Sequence, residues 1–227
     1  TLSLDREVLT LMRQAGFSDL NLSLVSSDKK SLAAVNRPHD PEKFLHIVEE
    51  AHALGFWIVA YQIVGLPFES LAKMIRTTAT LARLPVLIGA SVYYLAPGSP
   101  MSKTAGPPAE IDCFRARSTA MAVKSPHFSR DDLYTLFIAA RILNFLKGLR
   151  VDRGGLRLKK ALLSAEVDKR SGLGADLLTR LLDEGKLYAA ASRGLKPVAR
   201  FRAGLFFRIL NEAKTVRTKQ GFDILLT

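Results

Sequence analysis

The chain has 227 residues, 48% of them hydrophobic, which is enough for one large domain or two small ones. A single cysteine excludes an internal disulfide and a multi-cysteine metal site within this chain. The first residues lack the uninterrupted apolar core of a secretory signal, and no stretch reaches the length of a membrane span, so we expect a cytoplasmic protein with no membrane partner. The net charge is +12, and its excess lies mainly in residues 129–227.

Residues 1–100 alternate between helical and strand patterns. The predicted helices are Leu4–Ala15, Lys29–Asn36, Asp40–Leu54 and Ser70–Leu84, and the predicted strands are Leu20–Val25, Phe56–Val64 and Val86–Leu95. Such alternation predicts an α/β fold with a parallel sheet. The apolar run Phe56–Val64 is typical of a strand covered on both faces, and the Gly-Leu-Pro turn after it lies at the strand end where α/β proteins bind ligands.

The rest of the chain has a different character. Residues 101–128 are rich in Pro, Gly, Ser and Ala and are predicted to be a connector, with one short helix over Asp112–Ala122. Residues 129–227 are predicted to form a basic, mainly helical extension. Its first helix, Asp131–Leu149, is apolar almost all round except for a polar stripe of Arg141, Asn144 and Lys147, so we expect it to be mostly buried. Further helices are predicted at Arg157–Val167, Ala175–Glu184 and Ala203–Ala213, with a short strand after Gly185.

Five short pieces, in order, resemble the second half of a radical S-adenosylmethionine (radical SAM) enzyme barrel. They are Leu11–Phe17 (LMRQAGF), Asn21–Asp28 (NLSLVSSD), Asn36–His39 (NRPH), Ile63–Glu69 (IVGLPFE) and Tyr94–Pro100 (YLAPGSP). The resemblance implies a partial (β/α) barrel whose fourth to sixth strands are the three strands predicted here. It also implies an iron–sulfur enzyme that binds S-adenosylmethionine and generates a 5′-deoxyadenosyl radical.

The family holds its [4Fe-4S] cluster with three closely spaced cysteines, C-x-x-x-C-x-x-C, and Cys113 alone cannot replace them. We therefore expect either a piece of a longer enzyme, which a start at Thr1 favours, or a relative that has lost the cluster. In the first case the main partner is the missing N-terminal half of the barrel. The chain alone is expected to be non-catalytic, its substrate is unknown, and its Leu20–Val25 edge is expected to stay unpaired and to promote self-association.

The resemblance assigns cofactor contacts residue by residue. Ser23 and Ser26 match the fourth-strand end, Arg37 the loop arginine, Glu69 the acidic position after the turn, and Tyr94 the sixth-strand exit. The turn beside the adenine matches Gly65, Leu66 and Pro67. Val25 departs from the family, which often has glutamate there, so a charge-assisted contact is missing. No catalytic or metal-ligating residue is assigned.

Two weaker interpretations stand beside these. Arg37 fits a surface ion pair as well as a carboxylate contact, and Glu69 fits a first-turn helix acid. The basic extension could instead bind nucleic acid, with a winged-helix arrangement around residues 175–190, although solvated helix faces are the commoner origin of such charges. Its candidate phosphate contacts are Lys159, Lys160, Lys169, Arg170, Arg193, Lys196, Arg200, Arg202 and Arg208.

Overall fold

The computed structural model describes residues 4–37, 40–96, 98–99, 117–123, 125–165, 169–192 and 194–227. In its first part helices and strands alternate as predicted. The elements are α1 (Arg6–Gln14), β1 (Asp19–Val25), α2 (Lys29–Ala34), α3 (Pro41–Ala53), β2 (Trp57–Val64), α4 (Leu71–Arg83) and β3 (Leu87–Val92). The predicted α/β class is confirmed. The third strand ends three residues earlier than predicted, before Tyr93.

Capping side chains begin each of these helices. Asp5, Asp28, Asp40 and Ser70 each accept a hydrogen bond from a backbone N–H of the first turn of α1, α2, α3 and α4, respectively. Pro41 occupies the first turn of α3, where its missing N–H costs nothing. These caps fix where each helix leaves the sheet, and so they fix the loops at the carboxyl ends of the strands.

The three strands form one parallel sheet in the order β1-β2-β3. Leu20 pairs with Ile58 and Ala60 pairs with Ile88, and the β1 register shifts between Ser23 and Val25. Within the described residues no strand pairs with the other side of β1. The predicted open edge at Leu20–Val25 is therefore confirmed.

The sheet has one covered face and one open face. Leu20, Leu22, Ile58 and Ala60 lie on the face beneath the helices and are buried. Along β2 the alternate residues point the other way, and Trp57 and Tyr61 are 42% and 40% exposed. The prediction that β2 is covered on both faces is wrong for this chain, because the described residues cover the second face only at its ends. Ile63 packs against the cluster that contains Leu32, and Lys219 contacts Trp57, while Tyr61 between them stays exposed.

Gln62, the one polar residue in that run, points into the covered face. Its amide donates to the Met74 carbonyl at 3.0 Å and its oxygen accepts from the Thr78 hydroxyl at 2.9 Å. Both partners are on α4. Because the side chain is fully paired, it ties β2 to α4 instead of weakening the core.

The second part of the chain is mainly helical, as predicted. Its helices are α5 (Arg130–Gly148), α6 (Leu158–Ser164), α7 (Lys169–Glu184) and α8 (Ala203–Ala213). The strands β4 (Leu156–Arg157), β8 (Asp223–Leu225) and β7 (Thr215–Arg217) form a small sheet in that order, while β5 (Tyr188–Ala191) and β6 (Gly194–Pro197) form an antiparallel hairpin. Only β5 was predicted, because the other strands are too short to show an alternating pattern.

The polar stripe on α5 faces the first part of the molecule at two of its three positions. Asn144 Oδ1 accepts from the Ile88 N–H at 2.8 Å, and Asn144 Nδ2 donates to the Ile88 carbonyl at 2.9 Å. Lys147 Nζ donates to the carbonyls of Ala82 and Leu84 at 2.8 and 2.6 Å. The side chain of Asn144 thus occupies the free edge of β3, where a further strand could otherwise pair.

One hydrophobic core contains residues from Leu9 to Leu226. It includes α1, the sheet, α5 and α8. The division into residues 1–100, a connector over 101–128 and an extension over 129–227 stays a prediction. The predicted helix at Asp112–Ala122 and Cys113 lie largely outside the described residues, which contain a short 3-10 turn at Ser118–Ala120.

Candidate functional site at the carboxyl edge of the sheet

The carboxyl ends of β1 and β2 are joined by two buried side chains. The Ser26 hydroxyl donates to Glu69 Oε1 at 2.6 Å, and both residues are 1% exposed or less. Ser26 lies one residue after β1, and Glu69 lies in the turn between β2 and α4. Ser26 Oγ also accepts from the Asp28 N–H at 3.1 Å. The loop after β1 and the turn after β2 therefore meet at a single hydroxyl group.

Glu69 is the centre of this edge electrostatically. Burial raises the pKa of its carboxyl to about 7, and the nearby Asp28 charge adds to the increase, while Ser26 and Lys73 act against it. Its second oxygen, Oε2, is buried and has no hydrogen-bond partner among the described residues. A buried polar atom without a partner is costly unless a bound group satisfies it. This oxygen fits an N–H donor of a ligand.

The backbone leading into Ser26 is strained. Val25 has φ 63, a region that β-branched residues rarely adopt. The Ser26 N–H turns back to the Leu24 carbonyl at 2.7 Å, which makes a tight turn at the strand end. Val25 is held by packing against Leu32 and Leu66. Strain of about 1–3 kcal/mol at such a residue persists only where its surroundings fix it, and such positions cluster at binding sites.

An ion pair lies beside the Ser26–Glu69 pair. Lys73 Nζ lies 2.7 Å from Asp28 Oδ2, and the same oxygen accepts from the Ser31 N–H at 2.9 Å. Burial alone would raise the pKa of Asp28, but the hydrogen bonds from Lys73 and Ser31 hold it below its usual range. Asp28 is therefore the ionised acid of this edge, whereas the pKa of Glu69 lies near neutral pH.

The Gly65–Leu66–Pro67 turn is built into the core. Gly65 has φ 89, and a Cβ there would lie 2.9 Å from a methyl carbon of Leu133 on α5, so both the backbone and the space require glycine. Its N–H points to the Met74 sulfur at 3.0 Å. Leu66 is buried, and the Pro67 carbonyl accepts from the Ser125 hydroxyl at 2.9 Å. Packing and hydrogen bonds within this chain thus hold the turn in place.

The remaining predicted residues are more exposed. Tyr94 follows β3 by two residues and is 42% exposed. Arg37 is exposed and follows Asn36, whose φ is 50. Ser23 lies on the open face of β1 and pairs in register with Tyr61, which in turn pairs with Gly89.

The ring of Tyr61 extends across the paired residues towards Gly89 on β3. A Cβ on Gly89 would lie 2.6 Å from the Tyr61 ring, so the glycine makes room for the ring to lie over β3. A strand covered on both faces, as predicted for Phe56–Val64, would bury Trp57 and Tyr61 in the core, but both are about two-fifths exposed. Both stand on the open face of the sheet.

The predicted positions thus fall into two groups. The structure brings Ser26, Glu69 and the turn at Gly65 together at one edge, while Ser23, Arg37 and Tyr94 lie around it without a described contact to Glu69. The part each plays in binding stays a prediction. Sequence reasoning missed the Lys73–Asp28 pair, although an aspartate after β1 and a lysine in the first turn of α4 were visible. Among the described residues no group of three or more His, Cys, Asp or Glu could hold a metal ion.

Residues 1–81 match the family model described as the Radical SAM superfamily. Over these residues the chain is similar to the radical SAM superfamily. The match includes β1, β2 and the whole Ser26–Glu69 edge, so the family recognition and the site concern the same residues. The described residues contain no helix long and apolar enough to cross a bilayer.

Two known proteins are similar to parts of this chain. An uncharacterised protein of Methanocaldococcus jannaschii, MJ0486, is 30% identical over 67 residues, which are 30% of this chain and 21% of that protein. The chain therefore spans about a fifth of the length of the curated relative that it matches. Coproporphyrinogen III oxidase (HemN) from Escherichia coli, described as a radical SAM enzyme, gives a TM-score of 0.45 at 17% identity, over 88% of this chain and 39% of that one.

Among its described side chains, which leave out Lys169, Arg170 and Arg193, the basic extension does not present one continuous cationic face. Arg200 and Arg202 pair with Asp131 and Asp132 on α5, and Lys159 pairs with Asp183 on α7. The element order α6, α7, β5, β6 does follow the helix–helix–strand order of the winged-helix hypothesis. However, the exposed residues of α7 include Asp176, Asp183 and Glu184 against Arg180, which disfavours contact with phosphates. Nucleic-acid binding stays a prediction.

Proposed function

We propose that this chain forms the S-adenosylmethionine-binding carboxyl edge of a radical SAM iron–sulfur enzyme. The observation that carries the proposal is the Ser26–Glu69 hydrogen bond, because it places an unsatisfied buried acceptor at the strand ends of the family-matched segment. In such enzymes S-adenosylmethionine supplies the sulfonium group that one-electron reduction cleaves to a 5′-deoxyadenosyl radical.

The chain's own residues have separate parts in this proposal. Glu69 Oε2 accepts a hydrogen bond from the cofactor, and Ser26 orients that carboxyl. Asp28 and Lys73 are already paired, so they hold the loop in place without competing for the ligand. Arg37 and Tyr94 contact the cofactor from the exposed side of the edge.

The cluster is a different matter. A [4Fe-4S] cluster of this family takes three cysteine thiolates, and this sequence contains one cysteine. The donor set does not fit, so we assign no step through the cluster to this chain. We propose that the thiolates belong to the remainder of a longer protein and that the chain alone produces no radical.

Equilibrium dialysis with S-adenosylmethionine tests the binding part. We expect saturable binding by the 227-residue chain and a loss of about tenfold in Arg37→Gln, about 1.4 kcal/mol. Arg208→Gln, on α8, removes the same charge away from the edge and should bind as the wild type does. Equal affinities in all three proteins, or no saturable binding, would contradict the proposal.

The non-catalytic part has its own test. The chain is incubated with S-adenosylmethionine and dithionite, with and without iron and sulfide, and 5′-deoxyadenosine is measured. We expect none above the protein-free background. Formation of 5′-deoxyadenosine by the isolated chain would mean that it ligates a cluster by means other than three cysteines.

A further inference from the structure

A cavity of about 220 Å³ lies at the opposite end of the sheet, at the amino ends of β2 and β3. Both parts of the chain build it: Gly55–Ile58 and Pro85–Leu87 from the first, and Lys147 and Arg217–Lys219 from the second. We propose that this cavity binds a tetrahedral oxyanion, the phosphate group of a small metabolite. The proposal does not depend on the function proposed for the carboxyl edge.

The ionisable residues that line the cavity are all of one kind. They are His52, Lys147, Arg217 and Lys219, and no aspartate or glutamate lines it. The nearest acid in contact with this group is Asp223, whose carboxylate lies 3.6 Å from Arg217. The lining therefore has three basic side chains and a histidine, and Asp223 pairs with one of them, Arg217. Partly buried charges of one sign are screened less than surface charges, so their excess attracts an anion.

Lys147 is a buried, titratable amine that lines the cavity. Its Nζ donates to the carbonyls of Ala82, Leu84 and Arg217 at 2.8, 2.6 and 3.5 Å. Burial lowers the pKa of this amine to about 7, with Asp223 raising it and Arg217 lowering it further. A neutral amine still satisfies the two short bonds. An anion in the cavity would favour the charged form, so binding should be accompanied by proton uptake.

Lys219 and Arg217 stand at the mouth of the cavity. Lys219 Nζ lies 4.3 Å from the centre of the Trp57 ring, a cation–π contact that holds the ammonium in place. Arg217 is 40% exposed at its side chain and has further N–H donors beyond those facing Asp223. A guanidinium fork and a placed ammonium suit the several acceptor oxygens of a phosphate.

Size selects a small ligand over a polymer. A volume of about 220 Å³ accommodates a phosphate group and a few attached atoms. Outside the cavity, the exposed acidic residues of α7 disfavour contact with a nucleic-acid backbone. Free phosphate and a phosphate carried on a nucleotide share the recognised chemistry, and the experiment separates them.

Trp57 is the only tryptophan in the sequence, so its fluorescence reports on this cavity alone. The 227-residue chain is titrated with inorganic phosphate and with AMP at constant ionic strength. We expect a saturable change in emission with at least one of them, at a dissociation constant of about 0.1–1 mM. Tighter binding of AMP than of phosphate identifies a nucleotide source, and the reverse order identifies free phosphate.

Charge variants decide whether the signal comes from the proposed site. Arg217→Gln should weaken binding about tenfold, and Lys186→Ala, which removes an exposed charge from outside the cavity, should change it less than about twofold. Sulfate keeps its charge across neutral pH, and it should bind at least about threefold more tightly at about pH 6 than at about pH 8.5. No saturable response up to about 10 mM, or equal affinity in Arg217→Gln, would overturn the proposal. Binding of RNA only would overturn it as well.

Discussion

The hydroxyl of Ser26 lies 2.6 Å from the carboxylate of Glu69, a residue 43 positions later in the sequence, and this contact joins the ends of two parallel strands. It also sets the chemistry of the edge. Because the other Glu69 oxygen has no described partner, the edge keeps one buried acceptor that folding alone does not satisfy.

Glu69→Gln should stabilise the protein above neutral pH. The folded-state pKa of Glu69 is raised to about 7 from 4.5, so the native state binds the extra proton and stability falls as pH rises through that range. Glutamine keeps the shape and cannot ionise. Urea unfolding should show a gain of about 1–3 kcal/mol at pH 8 and little change at pH 4. The exposed Glu42→Gln is the control, and equal pH profiles for wild type and Glu69→Gln would contradict the burial argument.

Lys147→Met should destabilise the protein and change its alkaline pH profile. Methionine fills a similar volume but leaves the Ala82 and Leu84 carbonyls without a donor, at a cost of about 1–3 kcal/mol. The pKa of Lys147 is lowered from 10.5 to about 7 on folding, so its titration should increase the free energy of unfolding of the wild type as the pH rises between those two values. That contribution should vanish in the variant and persist in the exposed Lys186→Met.

Asn144→Leu should expose the β3 edge. The asparagine amide pairs with both backbone groups of Ile88, and leucine can pair with neither. We expect a loss of about 1–3 kcal/mol in urea unfolding, because two half-buried backbone groups lose their partners. Asn211→Leu on the exposed side of α8 controls for the added apolar surface. A loss no larger than that of the control would show that Asn144 is not an edge cap.

The chain should self-associate through β1. No described strand pairs with its outer edge, and such an edge is a template for strand pairing between molecules. Sedimentation velocity should show concentration-dependent association, and Asn21→Lys, which places a charge on this exposed strand, should reduce it. Asn211→Lys adds the same charge elsewhere. A wild-type monomer at all concentrations would contradict the picture of an incomplete barrel wall.

Much of the fold was readable from the sequence, because strong local signals coincide with it. Capping residues such as Asp40 and Ser70 set the helix starts, and the α8 bounds matched the predicted Ala203–Ala213. What the sequence could not give is the partner of each buried polar side chain. The sequence around Asn144 does not indicate that its amide pairs with the edge of β3. The sequence around Lys147 likewise does not indicate that its amine binds the carbonyls at the end of α4.

The site divides in the same way. The Gly65 turn and Glu69 were found through family motifs, and they do meet Ser26. The raised pKa of Glu69 depends on burial by residues distant in sequence, and the exposure of Trp57 and Tyr61 depends on what stands in front of the sheet. An apolar run looks alike whether its second face meets a helix or open space, so the sequence alone misplaced both aromatics.

Hydrogen exchange of the 227-residue chain with and without saturating S-adenosylmethionine tests the central claim most directly. We predict added protection in peptides that contain Leu24–Asp28 and Val64–Ser70, at the carboxyl ends of β1 and β2, with the Arg217–Lys219 segment unchanged. Protection confined to the amino-terminal cavity, or none at the two strand ends despite measured binding, would contradict it.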